Sequence, residues 1–174
     1  MSAGAVIDSL EFARGQEQLR GNLAVVDLKR LEDVLFDTQG SLDYELRGTR
    51  DARNRPQIEV KVAGQLHLLC QRCLDLLDHE VHVASRLVVV PKGARPDDDL
   101  NDPEAPDVIE AMPELEVAAL VEEEVLLSLP LAPRHPEGEC RGRLEKHDDA
   151  SGAPSPFAQL GALKPPRRRN PGRT

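Results

Sequence analysis

A chain of 174 residues with 2% aromatics and no Trp has room for one ordinary domain, whose core must be built from Leu and Val. No run approaches the roughly 20 apolar residues of a membrane-spanning helix, MSAGAVIDSLEFAR lacks the order of a secretory signal, and three cysteines are too few for a disulfide framework, so a cytoplasmic protein with reduced thiols is expected. The net charge is −9, and removing the four charges of Arg167, Arg168, Arg169 and Arg173 leaves −13 on residues 1–164, a body that repels a phosphate backbone and favours basic protein partners.

Residues 9–20 carry Leu10, Phe12, Ala13 and Leu19 ahead of Gly21, which predicts a short helix ended by that glycine. Asp27 opens DLKRLEDVLF, where Leu28, Leu31 and Leu35 recur at three- and four-residue spacing; a second short helix capped by Asp27 is expected. The period then changes to two. Leu42, Tyr44 and Leu46 alternate with polar residues, as do Ile58, Val60, Val62, Leu66, Leu68 and Cys70, and after CQRC so do Val81, Val83, Leu87 and Val89. Such alternation implies an antiparallel sheet of at least three strands with one buried face. Gly64 interrupts it and suggests a bulge or bend.

Residues 95–107 combine three prolines with six acidic residues and read as a solvated loop. A short strand fits DVIEAM. Pro113 suits the first turn of a helix through LEVAALVEEEVLLSL, with Val117, Leu120, Val121 and Val125 as its apolar stripe, Glu122, Glu123 and Glu124 on the other side, and Pro130 as its stop. The expected class is α+β: a mainly antiparallel β-sheet with short helices in a β-rich domain over 1–132, followed by a disordered, Pro- and Arg-rich tail over 133–174. Within that tail, PFAQLGALK spaces Phe157, Leu160 and Leu163 by three, enough to cover one side of a short helix that either docks on a partner or packs back on the domain.

The sharpest chemical feature is Cys70-Gln71-Arg72-Cys73, whose two sulfurs a tight turn can aim at one tetrahedral ion. The further candidate metal ligands are His135 and Cys140. One CxxC plus these two is a thin set, so no cofactor is expected and zinc is not expected to be required for folding. A thioredoxin-like role needs a CxxC at a helix N-terminus after a βαβ strand, which the periodicity does not give. His67 and His82 fall on the polar phases of their strands, no histidine pairs with a nucleophile in a recognisable motif, and no glycine-rich phosphate loop is present. No catalytic residue, small-molecule substrate or membrane partner is therefore expected.

Together, GQLHLLCQRCLDLL, LVVVP, the acidic loop, LVEEEVLLSLPLAPRHPEGEC and PFAQLGALK resemble the YceD family of large ribosomal RNA subunit accumulation proteins. The blocks that carry the resemblance are Cys70 to Leu74, Leu126 to Pro130, His135 to Cys140, and Pro156-Phe157-Ala158, spread over roughly residues 60–164. The resemblance implies a bacterial, non-enzymatic role in synthesis, processing or stability of 23S rRNA. Some relatives carry a second cysteine pair near the C-terminal block; here Cys140 stands alone, which excludes a four-cysteine site. With the acidic body, the resemblance points to a basic ribosomal protein or a large-subunit assembly intermediate as partner. The alternative is direct binding of 23S rRNA through Lys61, Arg86, Arg72 and the arginine tail.

Overall fold

A computed structural model describes residues 4–94 and 106–140. In chain order these form β1 (Val6–Ile7), α1 (Ser9–Gly15), β2 (Gln18–Ala24), two 3-10 turns (Val25–Asp27 and Lys29–Val34), β3 (Ser41–Arg50), β4 (Pro56–Leu69), β5 (Leu76–Val90), β6 (Asp107–Glu110), β7 (Leu115–Glu116) and α2 (Val117–Ser128). Five strands make one sheet in the order β2-β3-β4-β5-β6, and β1 pairs with β7 separately. Neighbours in the sheet are antiparallel except β5 and β6, which run parallel with Val88 opposite Val108. The class is thus α+β with a mainly antiparallel sheet.

Period-two alternation builds this sheet because side chains two apart share a face. Leu42, Leu46, Val60, Leu66, Val81 and Leu87 lie on one face and are buried. Over them pack Phe12 and Ala13 of α1, Leu31 of the second 3-10 turn, and Leu120, Val121 and Val125 of α2. Each Leu or Val taken fully out of water contributes about 1.5–3 kcal/mol, so a core nearly free of aromatics suffices.

Several local expectations give way to tertiary pairing. The helix predicted over 9–20 ends at Gly15: Asp8 Oδ1 accepts from the amides of Leu10 and Glu11 at 3.0 and 2.9 Å, and Gln16, at φ 53°, closes the other end. From Gln18 the chain pairs with β3, Gln18 opposite Arg47 through Ala24 opposite Ser41. Leu19 and Gly21 are therefore strand residues, and a Cβ on Gly21 would come within 2.5 Å of the Tyr44 hydroxyl. Gly64 makes no bulge, since the register runs through it with Leu42 on one side and Val81 on the other. Its role is close approach: a Cβ there would lie 2.7 Å from Leu42 Cδ2 and 2.9 Å from the Ser41 carbonyl oxygen.

The second expected helix is replaced by the two 3-10 turns, which still bury Leu28 and Leu31. Asp27 does not cap the second turn; the Arg30 amide donates instead to Glu122 Oε1 at 2.6 Å. Helix α2 starts at Val117, not at Pro113, because Leu115 and Glu116 pair with β1. It touches the second 3-10 turn through Glu122, and Glu124 falls four residues after Leu120 on the buried stripe, so both are buried and only Glu123 of the acidic trio faces solvent.

Phe157, Leu160, Leu163, the tail arginines and most of the acidic loop lie outside the described residues. Residues 133–140 are described, on the tail side of the boundary expected at 132. They return to the end of the β4–β5 hairpin, where the Gln71 amide donates to the Pro133 carbonyl at 2.9 Å.

Candidate functional site

Strands β4 and β5 pair as far as Leu69 opposite Leu76, so the CxxC occupies the hairpin turn itself. The Cys70 amide donates to the Asp75 carbonyl at 3.0 Å and the Leu74 amide to the Cys70 carbonyl at 2.8 Å, which closes the turn tightly. Leu74, immediately after Cys73, has φ 58° and is 65% exposed. A non-glycine residue held in the left-handed region carries a local strain that the rest of the turn must offset.

The returning segment brings His135 and Cys140 to this turn. The sulfurs of Cys70 and Cys140 are 3.7 Å apart, Cys73 Sγ lies 3.4 Å from His135 Nδ1, and Cys140 Sγ lies 3.7 Å from the same nitrogen. All four ligand atoms fall within 4.8 Å of one another. A disulfide sets its sulfurs at about 2.05 Å, so these are three free thiols gathered without bonding. His135 Nε2 is 2.8 Å from the Leu76 carbonyl oxygen. A carbonyl only accepts, so Nε2 carries the proton and Nδ1 faces the sulfurs.

The electrostatics favour thiolate at two of the three sulfurs. Burial pushes the Cys70 thiol up, but the amides of Cys73, Arg72 and His135 and the Cys73 side chain together bring it down to about 5. At Cys140 burial and the Cys70 sulfur oppose, and contacts with Arg72, His135 and Cys73 hold the thiol below its usual range. Cys73 moves the other way, to about 11, driven first by burial and then by the neighbouring Cys70 and Cys140 sulfurs, against a bond from the Asp75 amide. His135 is raised by Cys140, Cys70 and the Leu76 carbonyl.

Arg72 belongs to this cluster: its Nε donates to Cys140 Sγ at 2.9 Å and its Nη2 to the Pro136 carbonyl at 3.4 Å. Sequence pattern marks Arg72 for its place in the turn, but only the fold reveals that it serves a cysteine 68 residues away. The four candidate ligands thus come together, while Lys61 and Arg86 do not join Arg72 in one patch. Both face outward from the sheet interior, with Glu45 opposite Lys61 and Glu59 opposite Arg86, so the strand face alternates in sign. His67 contacts Asp37, its Nδ1 2.9 Å from Oδ1, and His82 is exposed beside Glu80. A cleft of about 610 Å³ beside the cluster is lined by Asp75, Leu76, His135, Gly138 and Glu139.

The family model described as "Large ribosomal RNA subunit accumulation protein YceD" matches residues 58–164. The chain belongs to the YceD family. The matched span runs from the start of β4 past Cys140 and so contains the whole cluster. A protein named "Large ribosomal RNA subunit accumulation protein YceD" from Haemophilus influenzae is 26% identical over 168 residues, covering 91% of this chain and 94% of that relative. No solved structure matches significantly.

Proposed function

We propose that this chain is a non-enzymatic, cytoplasmic factor for accumulation of large-subunit ribosomal RNA, acting through a basic protein partner or an assembly intermediate. The observation that carries the role is the family match over residues 58–164, together with a relative named for this process that aligns along nearly its whole length. The family is described by the RNA's accumulation, an outcome that an indirect effect can produce.

Charge supports the indirect route. Phosphate neutralisation by Lys and Arg dominates nucleic-acid affinity, whereas residues 1–164 carry −13 once the four tail arginines are set aside. The cations considered for direct readout are dispersed: Arg72 donates to Cys140, and Lys61 and Arg86 stand opposite Glu45 and Glu59. A face of alternating sign offers no continuous path for a phosphate backbone. It suits a partner whose charges are discrete, as on a protein surface.

Crosslinking of the full chain in cells, followed by separation of protein from RNA adducts, tests the route. Predominant crosslinks to basic large-subunit proteins are expected. Predominant crosslinks to 23S rRNA, with purified protein binding that RNA in a steeply salt-dependent manner, would favour direct recognition instead.

A further inference from the structure

We propose that Cys70, Cys73, His135 and Cys140 bind one zinc ion in a closed, tetrahedral, structural site. Neither the family description nor the ribosomal reading assigns a metal, and the inference depends on neither. It rests on the arrangement of the ligand atoms.

A zinc ion with Zn–S near 2.3 Å and Zn–N near 2.0 Å in tetrahedral geometry sets its ligand atoms about 3.8 Å apart for two sulfurs and about 3.6 Å for sulfur and nitrogen. The three separations here are 3.7 Å between Cys70 and Cys140, 3.4 Å between Cys73 and His135, and 3.7 Å between Cys140 and His135. With all four atoms inside 4.8 Å, the space suits one ion and not a multi-iron cluster. Three thiolates and one imidazole are a soft donor set that selects zinc over magnesium or calcium, and four protein ligands leave no open position for catalysis. The spacing is Cys-x2-Cys followed by His-x4-Cys, with each pair on its own short segment.

The surroundings fit as well as the ligands. His135 is oriented by its Nε2 bond to the Leu76 carbonyl, which leaves Nδ1 as the donor atom. Zinc with three thiolates and a neutral imidazole carries one net negative charge, and the Arg72 guanidinium, 2.9 Å from Cys140 Sγ, offsets it. Leu74, at φ 58°, directly follows Cys73 in the tight turn, and both CxxC sulfurs lie within 4.8 Å of each other and of the other two ligand atoms. A thin ligand set in one dimension thus becomes a complete one in three, against the expectation of a metal-free fold. The ion would tie the β4–β5 turn to the segment following α2, across more than sixty residues of chain.

Full-length protein purified under reducing conditions, without chelator, should contain about one zinc per chain. X-ray absorption should give three sulfur and one nitrogen neighbours. Cobalt titrated into chelator-treated protein should produce the visible bands and thiolate charge-transfer absorption of a tetrahedral site with three thiolates and one imidazole. Cys140→Ser and His135→Gln should each lower zinc affinity at least tenfold, whereas Arg72→Ala should keep the stoichiometry but speed zinc release to a chelator. Because a cysteine variant can unfold, hydrogen exchange on the unmutated chain is the second readout: zinc removal should deprotect 133–140 and 70–76 ahead of β3. Protein that holds no zinc and gives no cobalt spectrum, an octahedral cobalt spectrum, or a Cys70–Cys140 disulfide in reduced preparations would each overturn the proposal.

Discussion

The acidic trio in α2 separates a buried role from a surface one by a single residue step. Glu122 is 7% exposed, and its Oε1 takes the Arg30 amide at 2.6 Å; Glu123 has a side chain 60% exposed that meets Arg30 Nη1 at 3.9 Å. Replacing Glu122 by Ala removes a charge-assisted bond and strands a partly buried amide, a loss of about 1.5–3 kcal/mol, of which Ala's higher helix propensity returns a few tenths. Glu123→Ala removes a long, solvated ion pair contributing about 0–0.5 kcal/mol. Glu122→Gln keeps an acceptor without the charge and should fall between them, near about 1 kcal/mol. Thermal melts at pH 7 should order the variants accordingly, with Glu122→Ala lower than the parent by about 5–10 °C and Glu123→Ala within about 2 °C. If Glu122→Ala and Glu123→Ala melt together near the parent, the carboxylate does not hold the 3-10 turn and this reasoning is refuted.

At the β3–β4 turn, Asp51 accepts from the Arg53 and Arg55 amides and from Arg55 Nε. Burial raises its pKa, but these bonds outweigh it and hold it below the ordinary 3.8. Its stabilisation is thus complete above that value and lost as pH falls through the lower folded one, so denaturant midpoints of parent and Asp51→Asn should differ at pH 5 and converge toward pH 2. Gly64→Ala, with its Cβ driven against Leu42 and Ser41, should cost about 1–3 kcal/mol by urea unfolding while far-ultraviolet circular dichroism stays the same. Lys61→Glu with Arg86→Glu should leave large-subunit levels intact if RNA is not read by the strand face, and a sharp fall would favour the direct route.

Wherever burial follows a fixed period, the sequence reveals the fold. Val60, Val62, Leu66 and Leu68 alternate and form β4, and Val117, Leu120, Val121 and Val125 form the buried stripe of α2. It misleads where the local pattern fits two structures. Leu19 and Gly21 look like a helix end, yet the backbone of 18–24 finds seven cross-strand partners on β3, a gain no local propensity reports. Glu122 and Glu124 are acidic, which predicts a solvent-facing side; Glu122 is taken up by the Arg30 amide of the second 3-10 turn, a contact helical spacing cannot foresee, whereas Glu124, four residues after Leu120, falls on the buried stripe itself. The cluster is half legible. Cys70, Cys73, His135 and Cys140 are all recognisable as ligand types, but their convergence depends on residues 133–140 returning to the hairpin, in a Pro- and Gly-rich stretch whose composition signals looseness.

Deleting the gene in its native host and resolving ribosomal particles on a sucrose gradient tests the ribosomal role most directly. The large-to-small subunit ratio should fall and return when the full chain is supplied on a plasmid. An unchanged ratio in the deletion strain, with normal 23S rRNA levels, would contradict it.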